Sequence, residues 1–120
     1  MEVLWAITNL FRKKPRVYKE EKDYRFIDFA NSDITGVELL VDEYKGVLYH
    51  YHSARVVEEG ELARLQFGYT IVNSGEHDID VLNSDEKLHI IMGDILTQIL
   101  LAKANDEQIR TDDSQKLNLQ

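Results

Sequence analysis

His50 and His52 stand two residues apart, and on a β-strand that spacing turns both imidazoles to one face, an arrangement that metal sites use. A third ligand would come from His77, His89 or a carboxylate, and no spacing singles one out. Hydrogen bonding at a half-buried sheet face is the competing reading of the pair. Asp78 and Asp80 alternate in the same way and suit either a shared cation or solvated loop acids. No glycine-anchored calcium loop surrounds them. The chain has no Gly-rich phosphate loop, no nucleophile elbow and no cysteine, and Ser53, Ser74 and Ser84 lack any local context for activation. The chemistry that remains is recognition, and no cofactor is implied.

Three groups of residues are suited to contacts with a partner. Tyr49 and Tyr51 share one face of a strand, where tyrosine offers large contact area at low entropic cost. Packing in the core or across strands competes with that role. Ile90 and Leu101 fall nearly opposite the main apolar stripe of a helix, so they form a second, small patch. Arg12, Lys13, Lys14 and Arg16 belong to a stretch, Arg12–Lys22, whose six cations and two acids give it +4, leaving −12 on the remainder. A basic arm of this kind docks on an acidic surface, either a neighbouring copy's or another protein's; ordinary solvated charge around Pro15 is the alternative.

The elements that must hold these residues follow from periodicity. Val47–Val57 and Leu62–Val72 are rich in β-branched and aromatic residues. In the second run Ala63, Leu65, Phe67, Tyr69 and Ile71 make a clean apolar face. Gly60, between the runs, supplies the positive φ of a short hairpin loop. Leu88, Ile91, Met92, Ile95, Leu96, Ile99 and Leu100 recur at helical spacing, which predicts a helix over Asn83–Ala104 capped by Asn83 or Ser84. Gly93 inside it lowers helix propensity by roughly 1 kcal/mol, which a close backbone approach would offset. Tyr24–Phe29 and Val37–Val41 are two further candidate strands, and Glu76–Val81 crosses over to the helix. Leu4, Ile7, Leu10 and Phe11 repeat at helical spacing, so Met1–Phe11 reads as a short amphipathic helix that needs something to pack on.

The expected fold is α+β: a small antiparallel sheet of three to four strands with one C-terminal helix on one face and the short N-terminal helix beside it. Residues 1–22 form an N-terminal arm, 23–104 the domain, and 105–120 a polar, flexible tail. At 120 residues the chain supports one modest core. Its net charge of −8 argues against direct binding to nucleic acid, which needs clustered cations. No apolar run approaches the roughly 20 residues that cross a bilayer, and Met1–Phe11 lacks the cationic start and small-residue cleavage site of a signal peptide.

Glu58-Glu59-Gly60-Glu61-Leu62-Ala63-Arg64-Leu65-Gln66-Phe67-Gly68-Tyr69, then Asp85-Glu86-Lys87-Leu88 and Met92-Gly93-Asp94-Ile95-Leu96, followed by an acidic tail, resembles small proteins of large contractile-tailed phages (myoviruses) of marine bacteria. The likeness spans about Tyr24–Ala102 and leaves out the Met1–Lys22 arm. It carries over no catalytic residues. It implies a phage accessory or virion-associated protein, located in the particle or the host cytoplasm. The resulting expectation is a non-catalytic structural or assembly protein whose partner is another protein or further copies of itself. An acidic modulator of a host nucleic-acid-binding protein is one alternative, and a small metal-dependent enzyme using His50 and His52 is the other.

Overall fold

The computed structural model describes residues 3–9, 16–30 and 32–110. The two runs around Gly60 form the central hairpin, β4 (Leu48–Glu59) and β5 (Leu62–Asn73), with Gly60 at φ 63° in the turn. β2 (Tyr24–Asp28) and β3 (Thr35–Leu39) pair with each other, and β3 adds to β4. β1 (Leu4–Asn9) pairs with β5 on the far side, in unbroken antiparallel register from Leu4 opposite Tyr69 to Asn9 opposite Arg64. The result is one antiparallel sheet in the order β1-β5-β4-β3-β2.

The expected α+β architecture is present, with five strands rather than three or four. The fifth comes from the segment that helical spacing assigned to an amphipathic helix, and that expectation is corrected here. Val3, Trp5, Ile7 and Thr8 are β-branched or aromatic residues, and so short a helix has little stability of its own. Pairing with a preformed strand therefore decides its conformation. β1 belongs to the sheet, not to a separate arm. The alternation was hard to see because both of its faces are apolar: Ala6 points to the core, while Val3, Trp5 and Ile7 point to solvent.

α1 (Ile79–Asn83) is a single short helix in the crossover, capped by Asp78, whose carboxylate accepts the Asp80 backbone N–H at 2.8 Å. α2 (Glu86–Arg110) then crosses one face of the sheet. Its cap is Asp85, not Asn83 or Ser84: Oδ1 of Asp85 accepts the N–H groups of Lys87 at 3.0 Å and Leu88 at 3.3 Å. α2 runs six residues past Ala104, to Arg110, through a polar stretch without Gly or Pro to stop it.

The core lies between α2 and the sheet. Leu88, Met92, Ile95 and Leu96 meet Leu65, Phe67, Tyr69 and Ile71 of β5, together with Tyr49, Val37 and Leu39. Gly93 sits where α2 comes closest to β1, and a Cβ there would stand 2.5 Å from the Thr8 hydroxyl. That contact is the close approach the mid-helix glycine implied. Among the described residues no helix is long and apolar enough to cross a membrane.

Candidate functional site

The pleat of β4 divides the residues singled out by type. Tyr49 and Tyr51 face α2, and His50 and His52 face the opposite, open side of the sheet. Tyr49 is fully buried. Its hydroxyl lies 2.7 Å from that of Tyr51, which donates at 2.6 Å to the Met92 carbonyl of α2. Burial pushes both phenols above their ordinary pKa. As contact residues for a partner, Tyr49 and Tyr51 are therefore corrected: of the two roles open to them, they take the packing one. A buried polar pair of this kind satisfies itself and fixes the seat of the helix.

A second polar cluster pins the start of α2. The Tyr69 hydroxyl donates to Asn83 Oδ1 at 3.2 Å and lies 2.9 Å from Nε2 of His89. Burial raises Tyr69 to about 12 and lowers His89 below the usual imidazole range, despite Asp85 nearby. Asp85 itself is pushed up by desolvation but is held low overall by the Tyr44 hydroxyl at 2.7 Å and the backbone groups it caps. Further along α2, Gln98 accepts the Tyr18 N–H and donates to the Tyr18 carbonyl, both at 2.7 Å, tying the chain ahead of β2 to the helix.

His50 and His52 do share a face, with ring centres 4.7 Å apart, as their spacing required. His52 Nε2 lies 2.8 Å from the Thr70 hydroxyl, and His50 packs edge-on against Phe29. Desolvation, then the neighbouring His50, lowers the His52 pKa. His77 lies elsewhere, 2.8 Å from the Glu43 carbonyl, and His89 is on the far side of the sheet. Among the described residues no three His, Asp or Glu side chains are gathered to hold a metal ion.

Arg16 lies 4.7 Å from the centre of the Tyr18 ring and 3.8 Å from Asp23, on the wall of a cleft of about 660 Å³. Lys22, Asp42, Asp94 and Ile90 also line it, so its charges are mixed in sign. Arg12, Lys13 and Lys14 lie outside the described residues. Ile90 is half-buried at the rim, and Leu101 is 61% exposed.

The most distinctive surface is one that sequence reasoning missed. On the open face Trp5 and Ile7 of β1 are each 55% exposed, with Val3 beside them. The Trp5 indole lies over Gly68, where a Cβ would come within 3.3 Å of it. Next to Trp5, Arg55 donates to Gln66 at 2.9 Å beside a hollow of about 430 Å³. The register of β4 against β5 shifts between Tyr51 and Ala54, and Ser53 and Ala54 line that hollow. Tryptophan and arginine around a shallow hollow are the residue types that dominate protein interfaces. The signal was the alternation in Val3–Thr8, masked by the helical spacing of Leu4, Ile7, Leu10 and Phe11.

Fold and surface together define a helix-backed antiparallel sheet with one face left open. Comparison with protein-family models, with curated proteins and with solved structures returned no match.

Proposed function

We propose that this chain is a non-catalytic assembly or interaction protein that works through protein–protein contacts on the β1 side of its open sheet face. The observation that carries this is the grouping of Val3, Trp5 and Ile7, large apolar side chains turned to solvent within one five-residue stretch. Isolated exposed apolar residues are ordinary, but a contiguous group with an arginine beside it is not. The polar groups that could otherwise suggest catalysis are engaged in holding α2: Tyr49, Tyr51, Tyr69 and Asp85 all have structural partners. The likeness to small myovirus proteins extends the reading to an accessory or virion-associated role, in the particle or the host cytoplasm.

The test is affinity capture from infected-host lysate, alongside mass spectrometry of purified particles. Wild-type chain is compared with a Trp5→Glu/Ile7→Glu variant whose fold is checked by circular dichroism. A partner, or a place in the particle, that is lost in the variant supports the reading. Equal capture by both proteins, or absence from particles together with no partner, overturns it.

A further inference from the structure

We propose that two copies of this chain join edge to edge through β1, about a two-fold axis, so that one sheet runs through both. This deepens the reading of the open face as a contact surface and rests on it. The sheet has two edges, β1 and β2. Natural sheets guard their edges with charge, proline, bulges or covering chain. β2 is guarded in this way. It carries Arg25, bonded to Glu38 at 2.5 Å, and Asp28, which accepts from Thr35 at 3.2 Å. Its start is covered by the turn before it, where the Glu21 N–H donates to the Tyr24 carbonyl at 2.6 Å and Glu20 bridges to Tyr24.

Among the described residues β1 has none of these guards. Leu4–Asn9 contains no charged residue and no proline, and its register with β5 is unbroken. A hollow of about 440 Å³ wraps its outer side, lined by Trp5 and Ile7 from the open face, Thr8 from the other, Arg64 of β5, and Glu86 and Ile90 of α2. A second β1 fits there as a strand. Antiparallel pairing centred on the small Ala6 sets Trp5 opposite the partner's Ile7, twice, so the exposed apolar residues cover one another. Leu4 then faces the partner's Thr8 on the helix side. The occupant is a second copy because the strand is self-complementary and has no charge of its own, and the charges that flank it, Arg64 and Glu86, are of opposite sign, so two copies of a −8 chain meet here with little local repulsion.

Trp5 is the single tryptophan, so it reports on its own interface. Sedimentation of the full chain across a range of concentrations, at low and moderate salt, is run together with tryptophan emission. The mass should double from 14.0 kDa, with emission shifting to shorter wavelength in step, and salt should strengthen the association by screening like charge. Ile7→Lys should abolish the doubling with the helical signal unchanged. Trp5→Thr, which keeps a strand former in place, should weaken the doubling where Ile7→Lys lowers the melting temperature. A monomer at every concentration, a dimer with unshifted emission, or an Ile7→Lys protein that pairs as well as wild type would overturn the proposal. A monomer that still loses a captured partner on Trp5→Glu/Ile7→Glu removes self-pairing alone and leaves the contact face standing.

Discussion

The tyrosines of this chain are fasteners. Tyr51 connects Tyr49 to the backbone of α2 at Met92, and Tyr69 connects β5 to Asn83 and His89. Tyr51→Phe strands the buried Tyr49 hydroxyl, and an unsatisfied buried polar group costs about 1–3 kcal/mol. Tyr49→Phe leaves Tyr51 with its Met92 bond and should cost less. The double variant should be milder than the sum of the two, because both polar partners then leave together. Chemical denaturation of the three variants measures this. The same phenols set an alkaline limit. Burial raises Tyr69 to about 12, and it raises Tyr44, Tyr49 and Tyr51 as well. A raised folded-state pKa means that the stability is fully present below the unfolded value of about 10 and is lost as pH rises through the folded value. Melting temperatures should therefore fall steeply between about pH 10 and about pH 12, with tyrosinate absorbance appearing in the same window. Tyrosinate forming well before unfolding would mean that these hydroxyls are not buried as described.

At the scale of elements, Gly93 and Thr8 set how closely α2 approaches β1. Gly93→Ala gains helix propensity of about 1 kcal/mol, yet its methyl would meet the Thr8 hydroxyl at 2.5 Å and its Cγ2 at 3.1 Å. Threonine is stiff at χ1 and cannot swing clear easily. Gly93→Ala should therefore lower stability, by about 1–3 kcal/mol as overpacking does, and Thr8→Ala in the same chain should recover much of it. Additive losses would contradict the contact. This glycine was legible in the sequence as a close approach, although its neighbour was not. The hairpin and the main helix were legible because each buries one face and exposes the other, and Tyr24–Phe29 was legible from its aromatic residues. Val37–Val41 was legible only weakly against a helical turn, because Glu38, Leu39 and Leu40 are good helix formers, and the strand lies two residues earlier, at Thr35–Leu39. β1 was not legible. Its open face is apolar too, so period two was blurred, and only pairing with β5 makes it a strand. The cap was misplaced by one or two residues because Asn83, Ser84 and Asp85 are all good caps, and the choice of Asp85 depends on Tyr44, far away in sequence.

For the whole molecule, the division between a covered and an open sheet face organises everything else. α2 takes one face, and with it go Tyr49 and Tyr51, which by type alone suited an interface. The opposite face keeps the histidine pair and Trp5, Arg55 and Ile7. The histidine spacing could be read from the sequence because a strand converts i, i+2 into one side. Which side α2 would occupy could not, since both faces of β4 carry aromatic rings. Trp5 and Ile7 were legible only as apolar residues near the start of the chain, because their exposure depends on β1 being an edge. Amide hydrogen exchange, followed by residue across a range of protein concentrations, tests most directly whether the open side meets a second copy through β1. Protection should rise with concentration in β1 and leave β2 and the Lys19–Tyr24 turn unchanged. Protection gained at β2, or along the exposed end of α2 near Leu101 with β1 unaffected, would contradict that pairing.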